Sequence, residues 1–330
     1  MPSSSRAPIV GGMQPVFLVG PTAVGKSAVA LELAKLLKAE IVSADSMQVY
    51  RGMDIGTAKP TREDRSAIPH HVIDVCEVNE PFDVKRYVTL VQSLIASLPS
   101  PLIICGGTGL YVRALRRGLF EGPSRNPTLR ARLEKMAANE LFGELEKLDP
   151  LTASRIDRQN PRRLVRALEV FYETGKAISK LQTQWRTPHP DPLPASEARG
   201  TSFPPSSKRE DQVEGFCFCL NRERDDLHAR IERRIDAQIA DGWVEEVRRL
   251  LARGLENNLT AMQAAGYREL IAHVRGDLSL EEAVALIKTR TRQLAKRQLT
   301  WFRRESDLDW IEVARDEPPT HTAKQIHSQL

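Results

Sequence analysis

Four cysteines, Cys76, Cys105, Cys217 and Cys219, are too few and too scattered for a disulfide framework or a four-ligand zinc site. Cys217-Phe218-Cys219 alternates as a strand does and reads as two buried thiols on one face, which fits a reducing, cytoplasmic setting. No apolar run approaches the roughly 20 residues that a membrane helix needs, so no membrane partner is expected. Residues 1–13 hold Pro, Ser and Gly but no apolar core of a secretory signal, and they read as a disordered leader. What remains is an ordinary globular composition whose 330 residues suffice for one large α/β domain and a smaller appended one. A net charge of +5 favours an anionic partner, and the distribution of that charge says more than its total.

The chain is organised around Gly20-Pro21-Thr22-Ala23-Val24-Gly25-Lys26-Ser27, which fits the phosphate-loop pattern G-x-x-x-x-G-K-[ST]. The apolar run Val16-Phe17-Leu18-Val19 before it predicts a buried strand, and residues 26–38 after it predict a helix with Val29, Leu33, Leu36 and Leu37 on one side. Glycines let the backbone amides curl inward, and the helix N-terminus adds partial positive charge, so this loop is a site for a diphosphate or triphosphate. Lys26 would reach the terminal phosphates and the Ser27 hydroxyl could ligate magnesium.

Glu40 to Asp45 reads as a second strand running into a loop, which puts Asp45 where functional side chains of an open α/β sheet collect. Residues 46–60 have no helix or strand period and are rich in hydrogen-bonding side chains, a pattern that suits binding beside a phosphate site. Val72-Ile73-Asp74-Val75 reads as a third strand, residues 84–98 as an amphipathic helix, and Pro101 to Cys105 as another buried strand closed by Gly106-Gly107-Thr108-Gly109. This alternation predicts an α/β fold, a P-loop NTPase-like doubly wound parallel sheet. One expected part is absent: the strand that would end in a magnesium-binding Asp ends in Cys105 and glycines, so Asp45 or Asp74 would have to serve.

Glycines and prolines from Gly118 to Pro127 mark a boundary, beyond which the pattern is helical. One helical stretch runs from Leu129 to Leu148, and another has Asn160 as N-cap, Pro161 at its first position and Gly175 past its end. Arg162, Arg163 and Arg166 oppose the dipole at the start of that helix, a placement that an external anion explains. Prolines and serines from Thr183 to Ser207 read as a flexible linker. Gly215 to Leu220 returns the chain to the sheet. The expected division is therefore a first catalytic part over 14–121, an inserted helical domain over 122–182, a linker over 183–214, a return over 215–312 and a tail over 313–330. Residues 288–304 carry seven Lys or Arg and no acid, with Trp301 and Phe302 interleaved, and their helical spacing gathers the charges into stripes that suit a nucleic acid.

The chain resembles the tRNA dimethylallyltransferase (tRNA isopentenyltransferase) family in a series of blocks. They are Gly20 to Ser27; SADSMQVYRGMDIGTAKP over 43–60; His70 to Val75; Gly106 to Leu119; RLVRALEVFYETG over 163–175; Gly266-Tyr267-Arg268-Glu269; and TRQLAKRQLTWFR over 291–303. The resemblance implies transfer of a dimethylallyl group from dimethylallyl diphosphate to N6 of the adenosine 3′ of the anticodon, in tRNAs reading codons that begin with U. It implies a P-loop domain with a helical insertion, Mg2+ as cofactor, a tRNA anticodon stem-loop as partner, and a monomer. By carry-over, Asp45 is the base that takes the N6 proton, Lys26 and Arg234 stabilise the departing diphosphate, and Thr22 positions the donor. Contacts to tRNA carry over to Asp45, Ser46, Met47, Gln48, Thr108, Arg130, Arg162, Arg163, Arg166, Gln263, Gly266, Tyr267, Arg268, Lys296, Arg297, Gln298, Trp301 and Arg303.

The chain departs from the family at Asn160 and Arg162, where Asp and Gln are usual, and at Ser27, where Thr is common. It lacks the C-terminal zinc finger of eukaryotic relatives, so a bacterial-type enzyme is expected. Two other functions compete. A P-loop kinase of a nucleoside or small metabolite leaves the basic C-terminal helix unused, and a noncatalytic RNA-binding protein regulated by nucleotide leaves Asp45 and its loop idle.

Overall fold

The computed structural model describes residues 14–119, 122–182 and 212–330, so the expected leader and most of the expected linker lie outside the described residues. Contacts divide the chain into two compact units, Met1–Arg116 with Asp211–Leu330, and Arg117–Glu210.

The first unit is built on strands β1 (Val16–Val19), β2 (Glu40–Ser43), β3 (His70–His71), β4 (Leu102–Gly106), β5 (Phe216–Asn221) and β6 (Asp309–Glu312). Every pairing is parallel, in the order β3-β2-β4-β1-β5-β6, which makes the α/β fold expected from the alternating pattern. Central β1 is buried on both faces, with Phe17 and Leu18 wholly inaccessible, as a continuous apolar run requires. Around the sheet lie α1 (Lys26–Leu37), α2 (Arg62–Ala67), α3 (Val84–Ser97) and α4 (Gly109–Arg117). At the end of β4 the sheet tolerates only a glycine: a Cβ on Gly106 would fall 2.2 Å from the Ala44 carbonyl oxygen. The ends of β1, β2 and β4 are thereby drawn together where the phosphate loop leaves β1.

The expected strand over Val72–Val75 is a turn instead, and the strand is His70–His71. Val72 and Asp74 adopt φ of 60° and 57°, which no strand allows. The Asp74 carboxylate accepts from Lys59 Nζ at 2.5 Å and Arg65 Nη1 at 2.8 Å, and these two cations hold its pKa below the usual value against the opposing effect of burial. Lys59 also donates to Tyr50 O and to Asp54, so residues 46–60 form a stitched loop rather than a loose connector.

The second unit is helical where described: α5 (Pro127–Leu133), α6 (Ala138–Leu148), α7 (Pro150–Ala153), α8 (Pro161–Thr174) and α9 (Ile178–Leu181). The single helix expected over 129–148 is two, broken at residues 134–137. Asn160 caps α8 by accepting from Arg163 N, and Gly175 closes it in the left-handed conformation. Leu141, Leu145, Leu164 and Leu168 form the core of this unit.

The chain resumes in the first unit with α10 (Arg224–Ala240), α11 (Trp243–Ala252), α12 (Tyr267–Arg275), α13 (Leu280–Phe302) and α14 (Pro319–His327). Ser279 and Glu282 make a reciprocal capping box at the start of α13. No helix among the described residues is long and apolar enough to cross a membrane.

Candidate functional site

A cavity of about 870 Å³ opens at the carboxyl ends of β1, β2 and β4, and all of its lining residues belong to the first unit. That position is the switch-point crevice where open α/β sheets bind ligands. On one wall lies the loop from β1 to α1, with Ala23 at φ 64° and Gly25 at φ 111°. The first-turn amides of α1 have no intrahelical acceptor and so face an anion site, which Gly25, Lys26, Ser27 and Ala28 line. Gly20, Pro21 and Val24 do not line it; Pro21 has no N–H, and Val24 is wholly buried with its amide turned to Pro21 O. These three residues shape the loop behind the lining.

Side chains brace the loop through its carbonyls and the Thr22 hydroxyl. Arg222 Nε donates to Val24 O at 2.8 Å and Arg230 Nε to Ala23 O at 2.9 Å. Arg234 Nη2 donates to Thr22 Oγ1 at 2.6 Å. Lys26 Nζ donates to Gly20 O at 2.9 Å and Pro21 O at 2.6 Å. Burial, assisted by Arg234, lowers the Lys26 pKa to about 8 despite the opposing influence of Cys105 and Asp45. Arg234 is likewise pulled below its usual value by burial, and its Nε has no hydrogen-bond partner among the described residues. Two half-buried cations lining one cavity suit an anionic ligand. Arg222 and Arg230 act on carbonyls 198 and 207 residues away, so no local sequence pattern marks either of them.

Asp45 stands on the opposite wall, just beyond β2. Its Oδ1 accepts from Met47 N at 2.8 Å, an Asx turn that fixes the carboxylate and leaves Oδ2 without a hydrogen-bond partner among the described residues. Ser46 N donates to Thr108 Oγ1 at 3.0 Å, and Ser43 Oγ donates to Gln48 Oε1 at 2.8 Å. Gln298 bridges the two walls from α13: its Oε1 accepts from Thr22 N at 2.8 Å and its Nε2 donates to Gly107 O at 3.0 Å. Asp45, Ser46, Met47, Gln48, Thr108, Gln263, Arg297 and Gln298 thus share one cavity with Thr22, Lys26 and Arg234.

Other expected contacts fall elsewhere. Tyr267 is wholly buried, with its hydroxyl donating to Glu246 at 2.7 Å, and Gly266 is buried against Trp243, so neither presents a surface to RNA. Their sequence block marks packing behind the cavity wall. Arg268 is exposed, with Nε on Met262 O. Trp301 packs on Gly109 beneath the Arg113 guanidinium, 4.3 Å from the ring centroid, while Lys296 and Arg303 are exposed.

The acid-free run on α13 is partly neutralised by acids from other helices: Lys288 pairs with Asp236, Arg290 with Glu269, and Arg292 with Glu232. Lys296, Arg297, Arg303 and Arg304 make no ion pair among the described residues and form the cationic end of the helix. In the helical unit, Arg130 and Arg166 both donate to Glu169, whose carboxylate is fully buried, so an internal anion accounts for them. Arg162 and Arg163 are exposed at the first turn of α8.

For a metal, the candidates are oxygen donors. Asp74 is taken by Lys59 and Arg65 and does not line the cavity, so it drops out, while the Ser27 hydroxyl is exposed at the start of α1. The described residues hold no group of three His, Cys, Asp or Glu that could bind an ion by themselves. This donor set fits a magnesium ion held chiefly by phosphate oxygens and water.

The model of the IPP transferase family matches residues 48–305. A tRNA dimethylallyltransferase of Pelotomaculum thermopropionicum is 43% identical over 306 residues, covering 90% of each chain. A crystal structure of a tRNA isopentenylpyrophosphate transferase from Bacillus halodurans superposes with a TM-score of 0.65 at 34% identity over 96% of each chain. A eukaryotic dimethylallyltransferase solved acting on tRNA has the same fold, with a TM-score of 0.74 at 24% identity over 96% of this chain and 79% of its own.

Proposed function

The chain belongs to the IPP transferase family, and from that premise we propose that it transfers a dimethylallyl group from dimethylallyl diphosphate to N6 of the adenosine 3′ of the anticodon in tRNAs reading codons that begin with U. The observation that carries this reading is the joining of the phosphate loop and the Asp45 carboxylate by one cavity large enough for both a prenyl diphosphate and a nucleobase.

The chemistry assigns a task to each wall. The C–O bond of the allylic carbon breaks and diphosphate departs with the electron pair, while the N6 lone pair forms the new C–N bond. Lys26, Arg234 and the first-turn amides of α1 stabilise the diphosphate as its charge grows, and Thr22 steers Arg234. An exocyclic adenine amine is a weak nucleophile, and Asp45 Oδ2 accepts its proton. Ser27 would hold Mg2+, which when bound neutralises diphosphate charge. The target base has to leave its stack to reach Asp45, which an anticodon-loop nucleotide does at less cost than a paired one. Arg297 and Lys296 attract the RNA backbone, and the inserted helical domain expected over 122–182 serves as a tRNA-binding unit through Arg162 and Arg163.

Incubation of the protein with dimethylallyl diphosphate, magnesium and unmodified tRNA, followed by digestion and mass measurement of the nucleosides, tests this directly. N6-dimethylallyladenosine is expected, and its absence with tRNA bound sinks the assignment.

A further inference from the structure

We propose that Glu246, which does not line the cavity, is a positioning residue that fixes two segments of the cavity wall from one buried carboxylate. Glu246 lies on α11 and is 1% exposed. Its Oε2 accepts from Asp54 N at 2.8 Å and Ile55 N at 2.7 Å. Its Oε1 accepts from Gly56 N at 3.2 Å and from the Tyr267 hydroxyl at 2.7 Å. No cation pairs with it among the described residues, so neutral donors alone offset the cost of burying the charge.

Trp243 stands three residues earlier on the same helix face and meets the same two segments. A Cβ on Gly56 would fall 2.2 Å from its Nε1, and one on Gly266 would fall 2.1 Å from its Cη2. Gln238 adds a bond from Nε2 to Ile55 O at 2.5 Å. The first segment continues into Gly56, Thr57 and Ala58 and the second follows Gln263, Ala264 and Ala265, all of which line the cavity. Gln48 Nε2, beside Asp45, donates to Thr57 O and Ala58 O, so the first segment is also tied to the strand end that carries the base. One carboxylate therefore holds together two segments that line the same cavity.

The inference rests on the prenyl-transfer reading for the identity of those ligands. Its test uses direct binding as well as turnover. Dissociation constants for dimethylallyl diphosphate and for an anticodon stem-loop RNA are measured on the full chain as wild type, Glu246→Gln, Tyr267→Phe and the double variant, with KM and kcat alongside. Glu246→Gln sets an amide N–H against backbone donors and is expected to weaken both ligands by about tenfold, the loss of one charged hydrogen bond. Tyr267→Phe keeps the packing and loses one donor; it is expected to weaken the RNA severalfold, leave the diphosphate unchanged, and have no further effect in the Glu246→Gln background.

Wild-type affinities and KM values in both single variants, with only thermal stability lowered, overturn the proposal, as does full additivity in the double variant. A wild type that binds both ligands but forms no product refutes the transfer reading, and the affinities then decide on Glu246 alone.

Discussion

Arg234 crosses from α10 to the phosphate loop and donates from Nη2 to Thr22 Oγ1 at 2.6 Å. The bond aims a half-buried cation whose Nε has no partner among the described residues, so removing the acceptor leaves the charge unaimed. Arg234→Ala is expected to lower kcat by roughly 10²–10³, the range for a lost donor to a developing anion. Thr22→Val should cost about tenfold, and the two changes together little more than Arg234→Ala alone. Single-turnover kinetics on the four proteins check this, and independent, additive losses would remove Thr22 from the role.

Asp45 has one oxygen committed to Met47 N and one without a hydrogen-bond partner among the described residues. Asp45→Asn keeps the turn acceptor but cannot take a proton, so transfer should fall by roughly 10²–10⁴ while tRNA affinity stays within a few fold. Product formation and RNA binding are measured on the same preparation; a variant with wild-type turnover would dismiss Asp45 as the base.

Much of this site was legible because its signals are local. The phosphate loop is contiguous, β1 is an unbroken apolar run, and Asn160, Pro161 and Gly175 punctuate α8 where they were expected to. What escaped is what pairs at long range. Gln298 and Thr22 are 276 residues apart, and nothing in either segment announces their bond. The run at 72–75 has the apolar, β-branched character of a strand, yet Lys59 and Arg65 draw Asp74 into a turn. The acid-free stretch on α13 suggested one continuous polyanion surface, but periodicity within a helix says nothing of the acids that α10 and α12 bring to it. Tyr267 sat in a block that resembles an RNA contact, and only its partner Glu246 reveals that it faces inward.

Lys26 gives the site a pH dependence. Its pKa in the ligand-free fold is about 8, against 10.5 for an ordinary lysine, so it is charged at neutral pH and loses its proton as pH rises through about 8. The unfolded chain binds that proton more tightly, so between about 8 and 10.5 this group makes the fold more stable as pH rises, while the anion site loses its charge. A bound diphosphate favours the charged form, so binding takes up a proton in that window. Affinity for dimethylallyl diphosphate should weaken by about tenfold per pH unit above the transition. Titration calorimetry in buffers of different ionisation enthalpy reads the proton uptake, and Lys26→Met should abolish it. A flat profile in the wild type would refute the assignment.

Glu169 makes the helical unit sensitive to acid rather than to base. Burial pushes its pKa up, but bonds from Arg130 and Arg166 and from Asn126 N outweigh burial and bring it to about 2. Because the folded pKa lies below the ordinary value of 4.5, the stabilisation is complete above that value and is lost as pH falls from there towards about 2. Glu169→Gln removes the charge, leaves two guanidinium groups without their anion, and should destabilise this unit by about 2–3 kcal/mol; the partial exposure of both arginines keeps the cost at the low end for a broken ion pair. Arg130→Met should cost less, because Arg166 stays to hold the carboxylate. Urea unfolding at pH 7 and again at pH 3 distinguishes the cases: the gap between wild type and Glu169→Gln should narrow at the lower pH, and a gap that does not change with pH would mean that the carboxylate's charge is not what holds the helices.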